Sequence, residues 1–174
     1  MKSYFLDEFD NKKDYLNFIE YMLLNSDTFS LVYFKYSENE KVKNTVKEIK
    51  SLLSPYKKFM VNSNQWPGTV TLNTNKHIYK VALYQADLGA KEALFKANNI
   101  YDWHYPFFPM DLCFFKDGYA WFELCAHERM SYIYIDNKKT YSDLINIGAK
   151  LSYKADIDNS ELFLEKQLKE KAEI

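Results

Sequence analysis

The order of the predicted elements indicates an α+β fold: a single domain over residues 1–174, with a largely antiparallel sheet of about six to eight strands and flanking helices. Two observations favour this class over a doubly wound fold. The strands follow one another as hairpins or meanders, and the helices stand at both ends of the chain with one inserted between strands. A chain of 174 residues also has the usual length of one domain.

The first 55 residues predict two helices and one strand. Asp10 can cap a helix that runs to about Leu24. The apolar residues at helical spacing in this segment are Tyr15, Phe18, Ile19 and Met22. A strand rich in β-forming residues follows at 31–36, and the capping-box pattern of 37–40 opens a second helix, which Pro55 stops.

The middle of the chain predicts short strands separated by turns. A strand at 59–61 precedes the turn Trp66-Pro67-Gly68-Thr69, which leads into a strand at 70–72. The polar residues 73–76 are typical of a turn and connect that strand to the next one, at 77–85.

The clearest hairpin lies in the second half of the chain. Two runs of β-forming residues, 112–116 and 119–125, flank Asp117-Gly118, a pair typical of a type I′ turn. The other elements predicted in this half are a helix from Asp87 to about 98–99, a strand at 132–135, a helix at 140–147 ended by Gly148, a strand at 151–153 and a charged helix at about 159–170.

Strict alternation from the two-residue loop divides the side chains of this hairpin between two faces, and it pairs Phe114 with Trp121. The first face is wholly apolar and is predicted to be core: Cys113, Phe115, Ala120, Phe122 and Leu124. The second face mixes aromatic residues with Glu, Cys and His: Leu112, Phe114, Trp121, Glu123, Cys125 and His127. We therefore predict the functional site on this mixed face.

A loop rich in aromatic residues, 101–109, precedes the hairpin. Two interpretations of this loop are open. It is either a plug that packs beneath the sheet or an exposed set of anchors for a protein partner. In the second case the anchoring side chains are Trp103, His104 and Tyr105.

Composition excludes several classes of protein. The net charge is −1 and the only arginine is Arg129, which argues against a nucleic-acid binder. No apolar run approaches the roughly 20 residues that span a bilayer, so we expect no membrane association. Two cysteines and an N-terminus without an apolar signal segment predict a cytoplasmic protein with reduced thiols. The oligomeric state is left open.

Catalytic and metal-binding motifs are weak. The chain lacks a Walker A loop, a dinucleotide-binding glycine pattern, a Gly-x-Ser-x-Gly elbow and a His-Glu-x-x-His pair. Cys125, His127 and Glu128 could serve a small Cys/His-dependent hydrolase or transferase, but residues two apart on a strand stand about 6–7 Å apart. The histidines and cysteines show none of the short paired spacings of zinc ligands, so neither a metal nor another cofactor is predicted. A mononuclear metal site assembled from residues far apart in the sequence stays open as an alternative.

One stretch of the chain resembles a known group of proteins. The segment Pro109-Met110-Asp111-Leu112-Cys113-Phe114 continues through the hairpin to Ala126-His127-Glu128, with Trp66-Pro67-Gly68-Thr69 upstream. This pattern, over about 65–130, resembles small proteins of low-GC Gram-positive bacteria to which no catalytic residues are assigned. Some similar small α+β proteins are immunity proteins, which neutralise a co-encoded toxin, and the resemblance implies that role as an expectation.

The sequence therefore predicts a non-enzymatic protein-binding module, an immunity or antitoxin-type inhibitor whose partner is a toxin domain. The excess of aromatic residues, with 15 Tyr, 13 Phe and 3 Trp, favours a protein interface. The predicted partner-binding residues are Trp103, His104, Tyr105, Trp121, Glu123 and His127. The alternatives are the Cys/His-dependent enzyme and a small-ligand sensor with an aromatic pocket.

Overall fold

The structure is a computed structural model that describes residues 1–34, 44–69 and 79–170. Eight strands of this part of the chain form one open sheet: β1 (Lys2–Leu6), β2 (Thr28–Phe34), β3 (Lys57–Asn62), β4 (Tyr79–Gln85), β5 (Met110–Lys116), β6 (Tyr119–Cys125), β7 (Met130–Ile135) and β8 (Leu151–Asp156). Their order is β3-β4-β2-β5-β6-β7-β1-β8, and neighbouring strands are antiparallel. The predicted α+β class is confirmed.

Helices of the described residues accompany this sheet: α1 (Lys12–Asn25), α2 (Asn44–Leu52), α3 (Lys91–Leu94), α4 (Lys138–Asn146) and α5 (Glu165–Lys169). The apolar stripe predicted for α1 is buried. Its cap is Asn11 rather than Asp10, because the Asn11 side chain accepts a hydrogen bond from the Asp14 amide at 3.0 Å. Asp10 instead forms an ion pair with Lys150 at 2.8 Å.

Several element boundaries differ from the prediction. Asp87 caps a short 3-10 turn, and the helix that follows, α3, ends at Leu94 instead of 98–99. The charged helix predicted at 159–170 is a 3-10 turn at Asn159–Glu161 followed by the short α5. The strand β1 was not predicted at all, although it pairs with both β7 and β8.

Some predicted elements lie outside the described residues. These are the capping box at 37–40, the strand at 70–72, the turn at 73–76, the end of the strand at 31–36 and the start of the strand at 77–85.

The larger apolar core lies between the helices and one face of the sheet. Phe18 of α1 packs edge-on against Phe122 of β6, with ring centroids 5.4 Å apart. On the same face, Phe29 of β2 stacks on Tyr84 of β4 at 5.2 Å. We refer to this side of the sheet as the helical face.

The opposite side of the sheet, the second face, carries a smaller core. Its buried residues lie mainly on the β3-β4-β2-β5 half of the sheet. The turn containing Trp66 and the C-terminal residues Phe163 and Leu168 pack against this cluster. The C-terminal segment is also joined to the hairpin, since the Ala120 amide donates to the Phe163 carbonyl at 2.9 Å.

The hairpin of β5 and β6 has the predicted turn but not the predicted faces. Asp117 and Gly118 both have positive φ, 51° and 81°, as a type I′ turn requires. Phe115 pairs with Ala120 as predicted, but Phe114 pairs with Phe122. One extra residue of β6, Trp121, therefore stands opposite no residue of β5, which is a β-bulge.

Beyond this bulge, each side chain of β6 points to the face opposite to the one that strict alternation predicts. Phe122 and Leu124 join Leu112 and Phe114 in the core of the helical face. Cys113 and Phe115 belong to the core of the second face. Glu123 and Cys125, which alternate with Phe122 and Leu124, point to that second face. The predicted assignment of the hairpin side chains to two faces is wrong, because the bulge interrupts the alternation on which that assignment was based.

Candidate functional site

The aromatic loop is a core plug around Trp103. The Trp103 side chain is fully buried, and its indole Nε1 donates to the Tyr15 hydroxyl at 3.0 Å. Tyr15 donates in turn to the Leu94 carbonyl at 2.9 Å. Trp103 is thus not an exposed anchor, because its ring fills the space beneath the sheet. His104 and Tyr105 of the same loop are half-buried.

Two further predicted contact residues are also buried. Trp121 is 5% exposed, and its Nε1 donates to the Ser26 hydroxyl at 2.9 Å. Glu123 is 9% exposed and accepts a hydrogen bond from the Tyr134 hydroxyl at 3.1 Å. Neither side chain can serve as a surface contact as predicted. His127, by contrast, is exposed.

The Cys125 and His127 side chains meet. The Cys125 Sγ atom lies 3.6 Å from His127 Nδ1, and His127 Nε2 lies 3.6 Å from a carboxylate oxygen of Glu128. The predicted separation of about 6–7 Å applies to an extended strand. It is wrong here because β6 ends at Cys125, and the 3-10 turn Ala126–Glu128 folds the imidazole back toward the thiol.

Asp111 completes this cluster and was not predicted to belong to it. Its carboxylate is 1% exposed, and it accepts hydrogen bonds from Trp66 Nε1 at 2.9 Å and from the Ala126 amide at 3.0 Å. Burial raises the pKa of the Asp111 carboxyl, while these two donors act in the opposite direction. Asp111 thus ties the Trp66 turn to the end of β6.

The backbone at this point is unusual. Asp111 adopts a left-handed conformation with φ of 54°, as does Arg129 with the same φ just beyond the 3-10 turn. Aspartate tolerates this region better than most residues, whereas arginine has no such advantage. Strained backbone of this kind often occurs at functional sites, and these two residues flank the hairpin that carries Cys125 and His127.

Three side chains of this cluster offer metal-ligating atoms. One ligand atom each of Asp111, Cys125 and His127 lies within 4.8 Å of the others. These residues come from the start of β5, the end of β6 and the turn after it. The short-spacing rule used for the sequence could not find Asp111, because it is 14 residues from Cys125 along the chain.

Glu123 forms a second polar group on the same face. Burial raises the pKa of its carboxyl to about 7, although the hydrogen bond from Tyr134 lowers it. Gly68 of the Trp66 turn packs beside the Glu123 side chain. The carboxyl is therefore held between a tyrosine hydroxyl and a turn backbone, in surroundings that disfavour its charged form.

Beyond Glu123, the second face is aromatic and carries no apolar cover in the described ranges. Tyr132 pairs with Glu123 of β6 on one side and with Phe5 of β1 on the other. The Phe5 and Tyr132 rings pack edge-on, with centroids 6.1 Å apart. Lys154 Nζ lies 5.4 Å above the Phe5 ring. We call Phe5, Tyr132, Tyr134 and Lys154 the open sheet face. Its three aromatic rings are half-buried and lie outside both buried core clusters.

A groove of about 730 Å³ lies on the helical face, where β1, β7 and β8 meet α4. Tyr4, Ile135 and Tyr141 supply aromatic and aliphatic parts of its wall, and Asp156 also lines it. It is of the size that small ligands use, which is the feature that the small-ligand sensor hypothesis would require.

No protein-family model, curated protein or solved structure matches the chain. The resemblance over about 65–130 therefore stays a prediction. Among the helices of residues 1–34, 44–69 and 79–170, none has the length and apolar character needed to cross a membrane.

Proposed function

We propose that this chain is a protein-binding module whose contact surface is the open sheet face. The observation that carries the proposal is that half of the second face presents aromatic rings over which the described residues place no apolar layer. An antiparallel sheet that faces water normally presents polar side chains there. Rings in that position are typical of a surface that a partner covers.

The composition of the face suits binding to another protein. Tyrosine and phenylalanine supply large contact areas at a low cost in side-chain entropy, and the tyrosine hydroxyls can also form hydrogen bonds with a partner. The Phe5 and Tyr132 rings already pack against each other, so binding of a partner costs little additional side-chain entropy at these two residues. Lys154 adds one positive charge at the margin of the face.

An inhibitor of a co-encoded toxin is the more specific form of this proposal. The resemblance over about 65–130 suggests that role, and the open sheet face supplies a surface that such an inhibitor could use. The site differs from the one predicted from the sequence, because Trp103, Trp121 and Glu123 are buried.

A capture experiment tests the proposal. The tagged chain is incubated with a lysate of the organism that encodes it, the retained protein is identified by mass spectrometry, and its affinity is then measured with both proteins purified. We expect one stoichiometric partner. The double variant Phe5→Thr, Tyr132→Thr keeps β-forming residues in both strands, and it should weaken binding at least about 30-fold, as expected for hot-spot residues.

The matched control is Tyr153→Thr. Tyr153 is 54% exposed on the edge strand β8, but its ring packs against Tyr4 on the helical face of the sheet. This variant should bind with unchanged affinity. Equal affinity of the double variant and the wild type, with both folded, would refute the open sheet face as the contact surface. Capture that depends on Tyr153 instead would place the contact on the other face.

A Cys/His-dependent enzyme is the second candidate, and the contact between Cys125 Sγ and His127 Nδ1 at 3.6 Å favours it. The electrostatics of the thiol oppose it. Burial, Asp111 and Glu128 together raise the pKa of the Cys125 thiol to about 11, whereas a nucleophilic cysteine needs a lowered value.

We therefore expect slow alkylation of Cys125 by iodoacetamide at pH 7.5 in the presence of a chelator. A rise of two pKa units leaves roughly 100-fold less thiolate than an ordinary cysteine has at neutral pH. Mass spectrometry with the Cys113→Ala variant isolates the reaction of Cys125. An alkylation rate above that of free cysteine would instead revive the enzyme hypothesis.

A further inference from the structure

We propose that Asp111, Cys125 and His127 bind a divalent transition-metal ion of the zinc class. The proposal concerns residues outside the open sheet face and goes beyond protein binding. It rests on three ligand atoms of different chemistry that the fold brings within 4.8 Å of one another.

The distance between the thiol and the imidazole fits a shared metal. In a tetrahedral zinc site, Zn–S of about 2.3 Å and Zn–N of about 2.05 Å place the sulfur and nitrogen about 3.6 Å apart. Cys125 Sγ and His127 Nδ1 stand at 3.6 Å. The carboxylate of Asp111 needs to approach by no more than about 1.5 Å to complete three ligands around one ion.

The carboxylate of Asp111 also has no permanently charged cation beside it in the described ranges, and the imidazoles of His127 and His104 are the ionisable groups that act on it. It is 1% exposed, and its hydrogen-bond donors are an indole and a backbone amide, both neutral. No lysine or arginine of the described residues forms an ion pair with it. Buried carboxylates are usually paired with a cation or coordinate a metal. A divalent ion would supply the missing charge.

The outer surroundings resemble those of known metal ligands. Trp66 and the Ala126 amide fix the orientation of the Asp111 carboxylate. His127 turns Nδ1 toward the sulfur and Nε2 toward Glu128, at 3.6 Å from its oxygen. A ligating histidine commonly presents its second nitrogen to a carboxylate in this way. Three protein ligands leave a fourth position, which water holds in open zinc sites of this kind.

The ligand set selects the class of metal. One thiolate and one imidazole are ligands of zinc and of the similar ion Co²⁺, whereas Ca²⁺ and Mg²⁺ prefer all-oxygen sites. Binding releases the proton of the Cys125 thiol to solvent as the Sγ–metal bond forms.

Titration of the chelator-treated full chain with Co²⁺ and Zn²⁺ tests the site. We expect one equivalent of Zn²⁺ by calorimetry, a rise in melting temperature, and an absorption band from thiolate-to-cobalt charge transfer. Cys125→Ser should abolish that band, and His127→Gln should weaken Zn²⁺ binding at least about 10-fold, the lower end of the losses seen even for outer-shell changes.

Two control variants test whether the cobalt band and the zinc affinity come from the proposed ligands. Cys113→Ala removes the other thiol, and His104→Gln removes an imidazole outside the ligand cluster, so both should keep the band and the affinity. Failure of the wild type to take up one equivalent, or uptake that is unchanged in both Cys125→Ser and His127→Gln, would overturn the proposal. Partner capture by the open sheet face is measured separately, so the two proposals fail independently.

Discussion

Replacing Trp103 by alanine is expected to lower the free energy of unfolding by about 3–5 kcal/mol. The ring is fully buried and packs edge-on against Phe108, with centroids 5.5 Å apart. The substitution leaves a large cavity, and it also removes the donor to the Tyr15 hydroxyl. Urea unfolding followed by circular dichroism measures the change.

The control for Trp103 is Phe107, four residues further along the same loop. Phe107 is 67% exposed, so Phe107→Ala should change stability by less than about 0.5 kcal/mol. Trp103→Phe keeps most of the apolar volume and remains measurable if the alanine variant does not fold. A Trp103→Ala protein as stable as the wild type would show that the ring lies at the surface and would restore the loop as a candidate interface.

The second large effect is a pH dependence of stability that comes from Glu123. Burial raises the pKa of this carboxyl from 4.5 to about 7, so the folded protein holds the proton more tightly than the unfolded chain does. The stabilisation is fully present below about pH 4.5 and is lost as the pH rises through about 7. The difference corresponds to about 3 kcal/mol.

Glu123→Gln should remove this part of the pH dependence. Urea unfolding of both proteins at pH 4.5 and pH 8 with a chelator gives the comparison, and the wild type should lose about 3 kcal/mol more than the variant. Tyr134 and Cys113, which interact with Glu123, have raised pKa values and stay neutral over this range. Glu92→Gln, at an exposed glutamate of α3, should keep the pH profile of the wild type. Identical pH profiles for wild type and Glu123→Gln would contradict a buried, largely neutral carboxyl.

The parts of the fold that depend on local patterns could be predicted from the sequence. Helical spacing identified α1, and Asp117-Gly118 identified the hairpin turn, because both signals reside in a few neighbouring residues. The bulge at Trp121 could not be predicted, since nothing in the alternation of β6 indicates where one residue is left without a partner. The face of every later residue in that strand was therefore assigned to the wrong side.

The candidate site was predicted only in part. Cys125, His127 and Glu128 were singled out by type, but their contact depends on where β6 stops being extended. Asp111 was not placed with Cys125 and His127, because its neighbours in space, Trp66 and Ala126, are 45 and 15 residues away along the chain. The sequence left two interpretations of Trp103 open, and the structure shows that it is buried. The sequence alone could not decide, because aromatic residues are common both in cores and at interfaces.

The bulge at Trp121 also gives β6 one residue more than regular pairing with β5 requires. Ala120 lies on the second face and Phe122 on the helical face, so deletion of Trp121 would close the bulge and leave Phe122 and the residues after it on their present faces. What the extra residue provides is packing, because it places two successive aromatic side chains, Trp121 and Phe122, in the same core. The Trp121 ring is 5% exposed, and its Nε1 donates to the Ser26 hydroxyl at 2.9 Å. The deletion would therefore preserve the register of the hairpin and remove a buried indole.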